Sequence, residues 1–162
     1  MTIITVNYPK ARLSIEQRRV LATMLTDAVM EPEVGRISPE KRRGYQVHYV
    51  ERDLDMIAHS GALLCDKPSD VMVIDVAVMD CCWTREVRET VFKNIYVALA
   101  AACGMDAPSP TWWINFRVIE EGNWGSRGGT LSFLQILDLT GPSFPQERAA
   151  AIRTALAIKY DR

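Results

Sequence analysis

The feature that most constrains this chain is that the first four fifths of it repeats its own pattern. Adding 70 to a position in the first strand-and-helix stretch gives a partner of like character without a gap: Ile4 and Ile74, Val6 and Val76, Glu16 and Glu86, Arg18 and Arg88, Ala28 and Ala98. A shift of 67 does the same for the next stretch, pairing Val47 with Ile114, Tyr49 with Phe116, Asp53 with Glu120, Gly61 with Gly128 and Leu64 with Leu131. Two gapless registers point to an internal duplication. A unit of this size buries too little surface to stand alone, so the two copies must share one core.

Each copy reads as strand, helix, strand. Residues 2–8, TIITVNY, are rich in β-branched types and run into Pro9. Ser14 with Gln17 three residues later forms a capping box, and Ile15, Val20, Leu21, Met24, Leu25, Ala28 and Val29 recur at helical spacing up to Glu31–Pro32. Glu31–Gly44, with its prolines, glycines and charges, is expected to be a loop, and residues 45–51 a second strand. In the second copy, residues 71–79 form a strand, Thr84 opens a helix carrying Val87, Val91, Ile95, Ala98 and Leu99, and residues 111–119 close the unit. Parallel strands joined by a helix cross over right-handedly.

The expected fold is therefore α/β: a two-layer sandwich of two tandem βαβ units, residues 1–64 and 71–131, within a single domain spanning 1–162. Residues 132–162 form a C-terminal extension, read as a strand over Leu131–Leu137 and a helix over Pro145–Ile158. On the last strand of the second unit, Trp112, Ile114, Phe116 and Val118 point one way, toward the helices. Trp113, Asn115, Arg117 and Ile119 point the other way, a mixed face that suits a subunit interface or a pocket, so an oligomer is expected.

Composition narrows the partners. With 19 Lys+Arg against 20 Asp+Glu the net charge is -1, and no basic stripe favours nucleic acid or an anionic membrane. No apolar run is long enough to span a bilayer, and the N-terminus lacks a signal-peptide pattern. Cys65, Cys81, Cys82 and Cys103 lack metal-ligand spacing, and only His48 and His59 accompany them, so no metal or other cofactor is expected. These features fit a cytoplasmic protein.

Three segments carry a resemblance to a known family: R-L-S-x-E-Q-R at Arg12–Arg18, L-T-D-A-V at Leu25–Val29, and W-I-N-F-R-V-I-E-E-G-N-W-G-S-R-G-G at Trp113–Gly129. In this order and duplicated, they resemble the tautomerase superfamily, in particular its fused, double-length members such as cis-3-chloroacrylic acid dehalogenase and malonate semialdehyde decarboxylase. The resemblance implies a homotrimer of two-unit chains. It also implies chemistry at an amino-terminal proline, whose secondary amine moves a proton.

Here Thr2 follows Met1, and the first proline, Pro9, has an amide nitrogen that takes no proton. A primary amine at Thr2, after removal of Met1, is the candidate base in its place. Arg12 matches the family arginine that holds a substrate carboxylate, and equally suits a helix-flanking position. Asn115, Arg117, Trp124 and Arg127 lie where the family's closing strand and turn approach a site. The dehalogenase histidine falls on Val29, and the paired arginines fall near Asp80–Trp83, which argues against dehalogenase and decarboxylase activity. The resulting expectation is a tautomerase-like protein binding a small carboxylate, with weak or no keto-enol isomerase activity. The alternative is an active isomerase or hydratase acting on a small 2-oxo or enol acid through a primary amine.

Overall fold

Four long strands and two long helices occupy the positions that the two registers assign them. The structure, a computed structural model, describes residues 1–126, 128–140 and 144–160. Strand β1 (Thr2–Pro9) leads through helix α1 (Ile15–Val34) and a 3-10 turn (Pro39–Gly44) to β2 (Tyr45–Arg52). A small hairpin follows, β3 (Ala58–His59) and β4 (Ala62–Leu63), before β5 (Met72–Met79), α2 (Arg85–Ala102) and β6 (Trp112–Ile119). A second hairpin, β7 (Gly125–Ser126) and β8 (Gly129–Thr130), precedes α3 (Phe133–Thr140) and α4 (Gln146–Tyr160).

Shifting β1 by 70 gives β5, and shifting β2 by 67 gives β6; the same 67 carries the first hairpin onto the second. Gly61 and Gly128, paired in the sequence, both take left-handed φ angles, 79° and 80°, as the hairpin turns require. The sheet order is β2-β1-β5-β6, with parallel pairs inside each unit and an antiparallel junction between β1 and β5. At that junction Ile4 faces Val76 and Val6 faces Ile74, pairs that a twofold axis between the strands exchanges. One consequence governs everything below. The start of β5 lies beside the end of β1, so each end of the sheet holds one unit's first strand residue and the other unit's strand-to-helix turn.

The helices cover one sheet face. Ile4, Val6, Ile74, Val76 and Val78 meet Leu21, Leu25, Val29, Val91, Ile95 and Leu99, all buried. Helix α1 starts at the expected capping box: the Gln17 N–H donates to Ser14 Oγ at 3.2 Å, and the Ser14 N–H to Gln17 Oε1 at 2.8 Å. Thr84 caps α2 in the same way through the Val87 N–H.

Two expectations are corrected. The helix does not stop at Glu31–Pro32 but runs through Pro32 to Val34, ending at Gly35 with φ 85°. Pro32 has no N–H for the Ala28 carbonyl, and Asn94 of α2 donates its Nδ2 there instead, at 3.5 Å, so the gap in the ladder is filled from the neighbouring helix. Leu131–Leu137 is not a strand: from Phe133 it is helical. Phe133 and Leu137, one turn apart, are buried, and the Gln135 N–H donates to Ser132 Oγ at 3.3 Å. No helix among the described residues is long and apolar enough to cross a membrane.

Candidate functional site

The twofold relation gives the molecule two comparable ends, separated by the length of β1, about 23 Å. Thr2 is at one and Arg12 at the other, so a single chain does not bring these two predicted residues together.

At the Arg12 end the strand-to-helix turn opens into a cleft of about 440 Å³ lined by Pro9, Lys10, Ala11, Arg12, Pro68, Ser69 and Asp70. The Arg12 guanidinium grips Asp70 with two prongs, Nε to Oδ1 and Nη2 to Oδ2, the second at 3.0 Å. It lies over the Trp112 ring at 5.5 Å. The hydrogen bond from Arg12 holds the Asp70 carboxyl below the usual aspartate range. Among the described residues the remaining nitrogen, Nη1, has the Cys103 thiol as its one acceptor, at 3.4 Å. Sulfur accepts weakly, so this edge of the guanidinium keeps donor capacity for a better anion. Lys10 extends beside it, exposed and paired with Asp53 at 2.7 Å.

The Thr2 end is closed. Thr2 is 1% exposed, and its hydroxyl donates to Glu33 Oε2 at 3.3 Å. The Tyr45 hydroxyl donates to the same oxygen, while Glu33 Oε1 faces the Cys81 thiol and the Met1 amine, each at 3.9 Å. Burial, with the Glu33 charge second, pushes both the Tyr45 phenol and the Cys81 thiol well above their ordinary values. Over this cluster Arg148 of α4 donates to three backbone carbonyls: Glu33 at 3.0 Å, Cys81 at 3.0 Å and Cys82 at 3.3 Å. Nearby, Lys41 Nζ is enclosed with no hydrogen-bond partner among the described residues, 3.5 Å from the centre of the Phe144 ring. Burial, then the repulsion of Arg36, lowers its pKa to about 8.

Asn115 and Arg117 sit on the sheet face away from the helices. Register places His48, Thr5, Asp75 and Asn115 in one row across the sheet, and Gln46, Ile3, Ala77 and Arg117 in the next. Asn115 Nδ2 donates to Asp75 Oδ1 at 2.9 Å, and Asn7 Nδ2 to Oδ2 at 3.0 Å. Arg117 is exposed, and Trp113 is 61% exposed. Trp124 is half-buried against the core, its carbonyl accepting from the Leu131 N–H at 2.8 Å. Arg127 lies outside the described residues.

No family model matches the chain, and no curated protein matches it. Solved structures do. N1, a member of the cis-3-chloroacrylic acid dehalogenase (cis-CaaD) family, aligns with TM-score 0.68 at 18% identity, over 94% of this chain and 99% of that one. Pt0534 inactivated by 2-oxo-3-pentynoate aligns with TM-score 0.66 at 17% identity, over 83% and 98%. The symmetric trimer of wild-type fused 4-OT Q0 gives 0.64 at 18%, over 80% and 94%. This chain has the tautomerase-superfamily fold. At these identities the likeness concerns the tautomerase fold, and the residues at the two ends must carry the functional argument.

Sequence reasoning missed Glu33, Tyr45, Cys81, Arg148, Lys41 and Asp70. Glu33 had a signal: Leu21, Leu25, Val29 and Glu33 stand at steps of four, so a helix continued through Pro32 puts Glu33 on the buried face. Arg148 had none, because its contacts are with backbone carbonyls distant in sequence. Among the described residues no group of three His, Cys, Asp or Glu side chains is arranged to hold a metal ion.

Proposed function

We propose that this tautomerase-fold protein binds a small carboxylate in the cleft at Arg12, with little or no keto-enol isomerase activity at Thr2. One observation carries the reading: the arginine end is open, while the Thr2 end is filled by the protein's own groups. A proton-transfer site needs a base against the substrate's α-carbon and a cation for its carboxylate at one place. Here Thr2 is buried with its hydroxyl committed to Glu33, and the cation is at the far end of β1. A small carboxylate suits the Arg12 cleft in size and charge, with Nη1 and Lys10 as donors.

Association of three chains through the bare sheet face belongs to the same reading. The face combines Trp113, Ile3 and Val73 with the Asn7–Asp75–Asn115 hydrogen-bond ladder, and the fused 4-OT structure is a symmetric trimer. A second reading, an active isomerase using a primary amine, draws on the Met1 amine, 3.9 Å from the Glu33 carboxylate. Ketonisation of phenylenolpyruvate separates the two. The first reading expects a rate close to that of buffer, with calorimetric carboxylate binding that Arg12→Ala weakens by about tenfold or more, the scale of a lost charge-assisted hydrogen bond. Rapid turnover abolished by an amine-blocking reagent would establish the second.

A further inference from the structure

The two ends, compared residue by residue, reveal a substitution between elements. The repeat registers equate Thr2 with Met72, Arg12 with Cys82, Glu33 with Cys103, and Tyr45 with Trp112. At the open end Arg12 lies over Trp112 and points Nη1 at Cys103. At the closed end the position of Arg12 is a cysteine, so the repeat supplies no guanidinium there. One arrives nonetheless. Arg148, from outside both units, bonds the carbonyls of Glu33 and Cys82, the counterparts of Cys103 and Arg12.

We infer that α4 is a closure over the Thr2 end, with Arg148 as its latch. Helix α4 has the structure of an added cover rather than of a core element. Among its residues only Ile152 and Leu156 are buried, and Ile158 is 76% exposed. Its start is held by Pro145, whose Cγ stands 3.2 Å from where a Cβ on Gly35 would be, so the glycine leaves room for the approach. Its far end is held by Asp80, which accepts from Lys159 Nζ at 2.5 Å and from the Tyr160 hydroxyl at 2.9 Å. Between these points α4 is attached by Ile152 and Leu156, which enter the core, by Ala149 packed against it, and by the polar fork of Arg148 hydrogen bonds. Beside the latch stand Thr2, Glu33 and Cys81, all buried, with Tyr45 half-buried against Glu33. Opening α4 exposes them while both βαβ units stay intact. The inference concerns the Thr2 end alone and does not depend on what the Arg12 cleft binds.

Thiol labelling of the full-length protein with N-ethylmaleimide, read for each cysteine by peptide fragmentation, tests it. Cys81 is buried, Cys65 is exposed and serves as the internal standard, and Cys103, half-buried at the opposite end, shows whether a change is confined to the Thr2 end. In Arg148→Ala the labelling of Cys81 should rise on the order of tenfold or more, the effect of removing hydrogen bonds from a charged donor, with Cys103 unchanged. Arg148→Lys, which keeps the charge but loses the fork, should fall between. No rise at Cys81, or a rise matched at Cys103, overturns the inference. Hydrogen exchange on the wild type decides it even if the alanine variant does not fold. Helix α4 amides should open more readily than those of α1 and α2, and equal protection of all three would make α4 part of the core.

Discussion

Lys41→Met should stabilise the folded chain at neutral pH by about 1 kcal/mol, and the gain should vanish in alkaline solution. The enclosed Nζ has the Phe144 ring beneath it and no hydrogen-bond acceptor among the described residues, and its pKa falls from the ordinary 10.5 to about 8. Fully felt, that lowering corresponds to roughly 3 kcal/mol of preference for the neutral amine. Water reaches part of the side chain, which cuts the penalty to about half. The lost cation–π contact takes back about 0.5 kcal/mol, and methionine keeps the packing on the ring. The sign follows from proton counting. Below pH 8 both folded and unfolded chains hold the proton, and the penalty is constant. Between about 8 and 10.5 the unfolded chain holds more protons than the folded one, so wild-type stability rises through this window relative to the variant. The charged groups facing Lys41 are Arg36, Glu33 and Glu40. Urea unfolding of both proteins at pH 7 and pH 10 reads the difference directly. A variant less stable at pH 7, or a difference that does not change with pH, would refute the reasoning.

Asp70→Asn should raise carboxylate affinity at the Arg12 cleft several-fold by removing a competing anion, measured by calorimetry. It should also flatten the loss of stability on acidification. Asp70 titrates below the usual aspartate range, so the stability it lends is present at neutral pH and fades as pH falls through that lowered value. Glu33→Ala should destabilise by about 3 kcal/mol, because it leaves the Thr2 and Tyr45 hydroxyls and the Cys81 thiol buried without their acceptor; a thermal shift under about 2 °C would contradict the cluster's structural role. Asp75→Lys, which breaks the Asn7–Asp75–Asn115 ladder on the bare sheet face, should convert the oligomer to monomer in sedimentation with the fold intact.

The sheet, both long helices and their covered face were legible because each rests on local periodicity and the duplication supplies a second sample of it. Where one copy was ambiguous the other settled the register, as Gly61 and Gly128 show with their matching turns. Two kinds of feature escaped. Pro32 reads as a helix stop, yet a side chain from α2 meets the stranded Ala28 carbonyl; the compensation is tertiary, and with it Glu33 enters the core. Leu131–Leu137 is apolar nearly throughout, and such a run does not distinguish strand from helix by periodicity. At the candidate sites, Arg12 was legible only through the family resemblance, and Asn115 and Arg117 through that resemblance and the alternation of the last strand. What Arg12 faces was not, because Asp70 reaches it only when the antiparallel junction of the two units brings the start of β5 beside the end of β1.

In the proposed reading a ligand binds at the Arg12 end and not at the Thr2 end. Amide chemical-shift mapping during titration with a small 2-oxo carboxylate distinguishes the two ends. Saturable shifts confined to Lys10–Leu13 and Ser69–Val71, with Thr2, Ile3, Tyr45 and Cys81 unmoved, are the predicted result. Saturable shifts centred on Thr2 and Tyr45, or none at either end, would contradict it.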